Sequence, residues 1–351
     1  MAAERTLTTR ELNRALLARQ FLLQPSSHSV VDTIERIGGL QTQYAPSGYI
    51  GIWSRMKAFR RNDLTTALEH RRIIQGTLLR NTIHMVSPRD YWLFLAGTRA
   101  SRQEWFRRIT KKEYGELPMD AAAAALREHL PTGPRRADEL KQALLVRGFE
   151  QISWAGLSGW LDMVRVPPSG TWEQRRADLF ALAEHWTRPV ACSEAQGLQH
   201  ILTRYLAAFG PALLRDAADW AGIPPTRLVL IAERISLRRF RDEQGRELFD
   251  LPRAPLPDPS TPAPVRFLPT WDATLLVHAR RTQILPERFR PLVFNTKTPH
   301  SRPTFLVDGQ VAGAWRYEGK RIIIESFDPL PARARRAVDV EAQRLAAFHG
   351  D

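Results

Sequence analysis

Gln41 and Gln43 stand one residue apart in the run GGLQTQYAPSGYIGIWSR (38–55), straight after Gly-Gly-Leu, with no acid, histidine or cysteine beside them. A neutral amide is no general base near neutral pH, but it donates and accepts hydrogen bonds at once. At i and i+2 of an extended segment the two side chains point to the same side. Gln41 and Gln43 can then hold one water, or one base edge, between them. A bidentate glutamine can also read adenine in the major groove. Equally, the pair can satisfy backbone groups at a helix end. One hydrolysis suits such weak, neutral groups. A purine alkylated at N7 is a cation and leaves its sugar without help from an acid. Its site need only orient a water and tolerate positive charge on the sugar, and amide oxygens can do both. An unmodified base is a poorer leaving group and calls for a carboxylate as well.

The elements that must position this pair read as repeating units. Thr8 or Thr9 caps a first helix with Leu12, Leu16, Leu17 and Phe21 at helical spacing. Ser27 or Ser29 caps a second, which Gly38-Gly39 ends. Asn62 caps a third, and two short strands, RIIQGTLL and TIHMVS, follow through Arg80-Asn81. Helix, helix, helix and ribbon is the order of a winged helix, and a long amphipathic helix follows it. A second cycle runs through MDAAAAALREHL and ADELKQALLVRG to a helix and two strands. A third opens at SEAQGLQHIL and closes in LRRFRDEQGRELFDLP, a hairpin about Asp242-Glu243-Gln244-Gly245. The proline-rich run 253–264 leads to a β-rich tail with DG and EG turns and a final helix. The expected fold is mainly α with β: three tandem winged-helix units (1–115, 116–192, 193–258), then a small C-terminal β domain (259–351).

The formal net charge of +14 over 351 residues is the strongest global signal. Such an excess attracts polyanions, and duplex DNA carries about one charge per 1.7 Å of axis. One cysteine, Cys192, excludes an internal disulfide and any zinc site built on cysteine pairs. The histidines are scattered, so neither metal nor cofactor is expected. No run has the apolar length of a membrane span, and the polar N-terminus lacks a secretory core. A soluble, cytoplasmic, nucleoid-associated protein with no membrane partner is expected.

Other residues are candidates for contact with DNA. Arg55, Lys57, Arg60 and Arg61 follow the glutamines closely and suit phosphates, or form a solvated basic face. Tyr44 and Tyr49 can stack on a base or lie in the core. Arg80, Asn81 and His84 lie in the first hairpin. There the histidine either bonds DNA or holds a loop. Asp272 can hold Arg280 or Arg281 and fix the β tail. Trp154, Trp160 and Trp220 read as core.

RIGGLQTQYAPSGYIGIWSR and QGTLLRNTIHMVSPRDYW resemble the bacterial winged-helix DNA glycosylases typified by AlkZ and YcaQ. So do RYLAAFGPA and DAADWAGI (within 204–222), FLPTWDATLLVHARR (267–281) and PTFLVDGQVAGAWR (303–316). The resemblance runs in order over nearly the whole chain. It implies three tandem winged helices and a C-terminal β-barrel around a concave, DNA-sized surface. The catalytic motif of that family, Gln, a hydrophobic residue, then Gln or Asp, falls on Gln41, Thr42 and Gln43. Gln43 matches the AlkZ-like form rather than the Asp of the YcaQ-like form, and Thr42 departs from the hydrophobic middle position. The resemblance also makes Arg238, Arg239 and Arg241 a candidate minor-groove probe. The implied activity is that of a monofunctional DNA glycosylase in base excision repair. It would act as a monomer on duplex DNA carrying N7-alkylated purines, bulky adducts or interstrand crosslinks. No lysine stands beside the glutamines to form a Schiff base. The competing expectation is a non-catalytic winged-helix regulator, commonly a dimer on a palindrome; no heptad or dimer helix is evident.

Overall fold

The computed structural model describes residues 3–130, 133–276, 282–294 and 301–350. Strand β1 (Thr6–Leu7) leads into α1 (Thr9–Arg19). The Thr8 hydroxyl accepts the Glu11 N–H, and the Glu11 carboxylate accepts the Thr8 N–H, which satisfies two otherwise orphaned donors. Ser29 caps α2 (Val30–Arg36). Gly38 and Gly39, at φ +82° and +85°, then turn the chain into β2 (Leu40–Gln41). A Cβ on Gly39 would lie 2.8 Å from Val86 Cγ1, so the turn feeding the glutamines needs glycine twice over. Helix α3 (Ala45–Trp53) was not expected. It is buried almost all round, so it has no polar face to give a 3.6-residue period. Helix α4 (Arg61–Glu69) begins one residue before Asn62, because the Asp63 carboxylate holds the Arg60 N–H. Strands β3 (Ile74–Thr77) and β4 (Ile83–Val86) pair antiparallel, and Arg80 and Asn81 both take positive φ in their turn. Ser87 caps the long α5 (Pro88–Tyr114).

The second cycle comprises α6 (Met119–His129), β5 (Arg135–Arg136), α7 (Ala137–Leu145), β6 (Met163–Arg165), β7 (Leu179–Leu182) and α8 (Ala183–Trp186). A 3₁₀ turn, Trp154–Gly159, stands where a helix was expected. The ribbons of the first two cycles join: β3 pairs with β6 through Gln75–Arg165 and Gly76–Val164. One six-stranded sheet results, in the order β2-β4-β3-β6-β7-β5. Gly76 lets α5 lie against it, since a Cβ there would sit 2.7 Å from the Tyr91 ring.

The third cycle has α9 (Glu194–Phe209), α10 (Leu214–Ala221), α11 (Thr226–Arg234) and the expected hairpin of β8 (Arg238–Asp242) and β9 (Glu247–Asp250). Strand β1 lies parallel to β8, and Arg19 and Asp250 form a fully buried ion pair. Helices α5 and α9 meet at Gly97 and Gly197, where any side chain would strike the opposing backbone. Phe94, Tyr205 and Trp220 fill the core beside this crossing.

The tail holds β10 (Arg266–Leu268), α12 (Ala273–Leu276), α13 (Arg290–Val293), β11 (Thr304–Val307), β12 (Gln310–Glu318), β13 (Arg321–Ser326) and α14 (Ala332–Gly350). Its strands form an open antiparallel sheet, β10-β11-β12-β13, and no barrel closes among the described residues. Helix α14 contacts β10 and β13 and buries Val338, Leu345 and Phe348. A covering helix buries the apolar face that closure would otherwise hide.

Candidate active site

Gln41 lies at the edge of the six-stranded sheet, opposite His84 of β4. The pairing runs on through Thr42, whose N–H donates to the Ile83 carbonyl at 2.8 Å. Burial alternates along this segment: Gln41 is half-buried, Thr42 fully buried and Gln43 exposed. The alternation agrees with both amides projecting away from the core side. Gln41 Oε1 accepts a 2.7 Å hydrogen bond from Arg80 Nη2, and Arg80 Nη1 donates to the Trp220 carbonyl. These bonds fix which way the Gln41 amide faces. Burial lowers the Arg80 pKa to about 10, so the group stays cationic at neutral pH. No carboxylate hydrogen-bonds to either residue among the described residues.

Thr42 occupies a tight slot. Its methyl carbon lies 2.9 Å from where a Gly48 Cβ would stand, and its hydroxyl has no hydrogen-bond partner among the described residues. In packing terms it fills a valine's place. His84 is buried, with Nδ1 3.0 Å from the Thr82 carbonyl. Burial first, then the charges of Arg80 and Arg102, push its pKa down to about 3 against the Thr82 hydrogen bond. A buried neutral imidazole holding its own turn is a structural histidine, not a surface contact to DNA. This edge thus offers one clamped amide and one exposed amide, with no carboxylate hydrogen-bonded to Gln41 or Arg80 among the described residues, which suits water positioning rather than proton transfer.

Residues 34–348 match the family model described as DNA glycosylase AlkZ-like. The chain belongs to the AlkZ-like DNA glycosylase family. It is an enzyme of that class, acting on N-glycosidic bonds of DNA. The Streptomyces sahachiroi DNA glycosylase AlkZ has a similar fold: TM-score 0.82, 98% of this chain and 97% of that one covered, at 18% identity. Among curated protein sequences none matches.

Several expected DNA contacts of this AlkZ-like chain are committed elsewhere. Arg55 is 1% exposed and bidentate to Asp272, both N–O distances being 2.9 Å, so it is an internal ion pair and not a phosphate contact. Asp272 was expected to hold Arg280 or Arg281; its partner is Arg55, and those two arginines lie outside the described residues. Tyr49 is fully buried, its hydroxyl 2.9 Å from Thr65 Oγ1, which removes it as a stacking platform. Lys57 and Arg60 are exposed. Arg61 lies 4.8 Å over the Trp172 ring, with Arg175 also near that ring at 5.4 Å. Arg175 donates to the hydroxyl of the exposed Tyr44 at 3.0 Å, next to Gln43. Asn81 Oδ1 accepts from the buried Arg102 Nε at 2.9 Å. In the third hairpin Arg238 pairs with Glu4 and Arg239 with Glu247, while Arg241 is exposed. The sequence reading missed Arg102 and Arg175. The doublet Arg175-Arg176 between two strands was a usable sign; Arg102, inside an ordinary helical pattern, offered none.

Proposed function

We infer that this glycosylase hydrolyses the N-glycosidic bond of N7-alkylated purines in duplex DNA, bulky adducts and crosslinks included, leaving an abasic site. Gln41 and Gln43 are the groups that position the attacking water. The observation that carries this reading is the Gln41 amide clamped by Arg80 beside exposed Gln43, with no carboxylate hydrogen-bonded to the clamp among the described residues. A base already cationic needs no proton to leave, so the substrate supplies the activation that this edge lacks. Arg80 holds the Gln41 oxygen in place, and the fixed geometry limits the entropy lost on reaching the transition state. Three winged-helix units, with the first two sharing one sheet, would follow one duplex as a monomer. Lys57, Arg60 and Arg241 are exposed cations placed to meet phosphates or a groove, while Arg61 and Arg175 lie on Trp172 beside the exposed Tyr44. The enzyme would act at the nucleoid in the cytoplasm; among the described residues no helix is long and apolar enough to cross a membrane.

The test is a single-turnover assay on a duplex with one 7-methylguanine, and on one with a bulky N7 adduct, developed with hot alkali against a no-enzyme control. Excision above control should fall about 100-fold in Gln41→Ala and Gln43→Ala, the scale of losing one positioning group, with duplex affinity retained. Affinity lost in step with excision would make the glutamines contact residues. No excision of either lesion would refute the substrate class.

A further inference from the structure

On the other side of the Arg80-Asn81 turn lies a recess of about 230 Å³ between the first hairpin, α5 and the 3₁₀ turn. Trp105 and Phe106 of α5 and Trp160 supply its aromatic lining, and Asn81, Arg102 and Ser158 its polar lining. The Phe106 and Trp160 rings meet edge-on with centroids 5.7 Å apart, and Arg107 lies 5.2 Å over the Trp160 ring. Arg102 is 3% exposed; its Nε and Nη2 are held by Asn81 Oδ1 and the Ser158 carbonyl. Its Nη1, and Trp160 Nε1, are buried with no hydrogen-bond partner among the described residues. Both groups can only donate. An acceptor oxygen reaches these donors once the side chains around them part, and it then meets groups that are already desolvated.

Charge narrows the ligand. Arg102 remains cationic at neutral pH, its pKa lowered by burial to about 10, and no carboxylate hydrogen-bonds to it among the described residues. An N7-alkylpurine still joined to its sugar is itself a cation and is repelled. A neutral base with carbonyl acceptors is not, and its flat face suits the aromatic lining. Past the recess, α5 exposes Arg107, Arg108, Lys111 and Lys112, a row suited to the attached phosphates.

We propose that this recess receives an undamaged nucleotide displaced from the duplex, its base against Trp105 and its carbonyl oxygens on Arg102 and Trp160. The proposal rests on duplex DNA being the substrate, not on the excision chemistry. Displacing a neighbour or partner of the lesion would open the strand toward Gln41 and Gln43 while the cationic base stays out of any pocket.

The experiment compares binding, by fluorescence anisotropy, of two undamaged duplexes: one fully paired and one with a single extrahelical thymidine. The bulged duplex should bind about tenfold tighter, the scale of stacking one base on an aromatic ring. Trp105→Ala, at a residue 42% exposed and so tolerant of truncation, should remove most of that preference and leave paired-duplex affinity unchanged. Trp160→Phe, which keeps a ring and loses the N–H, should lower the preference severalfold. Equal affinity for both duplexes, or a preference kept in both variants, would overturn the proposal. Failure to bind paired duplex at all would overturn the DNA reading beneath it, whereas paired binding without bulge preference strikes the recess alone.

Discussion

Arg55 and Asp272 offer the sharpest test of what the basic residues do. Each is 1% exposed at the side chain, and two parallel N–H···O bonds join them across the contact between the end of α3 and the tail. Arg55 also donates to the Gly51 carbonyl at 3.0 Å and to Gln20 Oε1 at 3.3 Å, while Asp272 accepts from the Thr274 N–H and hydroxyl. Removing one partner leaves the other charge desolvated and uncompensated. Arg55→Met or Asp272→Leu should therefore each cost about 3–5 kcal/mol. The double variant removes both charges together, so most of that loss should return. The assay is urea unfolding followed by tryptophan fluorescence and circular dichroism, run beside duplex affinity at several salt concentrations. A phosphate contact adds about 0.9 to the slope of log affinity against log salt. The buried pair predicts a slope unchanged in the double variant. An Arg55→Met protein with an unshifted unfolding midpoint and a slope lowered by about 0.9 would refute the argument and make Arg55 a phosphate contact.

Two further predictions follow from buried polar atoms. Thr42→Val replaces a hydroxyl that has no partner among the described residues by a methyl of similar size. It should raise stability by about 1 kcal/mol, seen as a higher urea midpoint; a lower midpoint would mean that the hydroxyl is satisfied after all. His84 is held neutral in the folded protein, its pKa lowered to about 3, and His349 is lowered to about 4 by burial and by Arg175 and Arg61. The unfolded chain takes up these protons below its own histidine pKa of about 6.5. Stability is therefore full above that pH and falls toward pH 4, by about 1.4 kcal/mol per pH unit for the buried His84 and by less for His349, which solvent partly screens. His84→Gln should flatten the fall of the urea midpoint between pH 6.5 and 4, and an unchanged slope would contradict burial of the neutral imidazole.

Much of the local structure was legible in the sequence. Thr8 and Ser29 cap their helices, Gly38 and Gly39 take the positive φ that ends α2, and the hairpin about Asp242–Gly245 forms where the alternation placed it. These are interactions between residues a few positions apart, so side-chain type and spacing suffice to read them. Helix α3 escaped because a helix buried on nearly every side carries no period. The glutamine pair was visible as chemistry, but its spacing left a strand and a helix end both open, and packing against β4 decided for the strand edge. Its clamp was not visible, since Arg80 stands 39 residues away in sequence.

What the tertiary structure alone decided is where each charge is committed. The sequence by itself determined that this chain is strongly basic, carries paired amides with no acid beside them in the chain, and alternates helices with strand pairs. It left Arg55, Lys57, Arg60 and Arg61 looking alike. Packing brings Asp272 to Arg55 across 217 positions, lays Arg61 on Trp172, and leaves Lys57 and Arg60 exposed. It also joins two ribbons into one sheet at Gly76 and lets α14 cover the tail sheet in place of a closed barrel. Burial and long-range pairing depend on what the rest of the chain packs against each residue, and no local pattern carries that information.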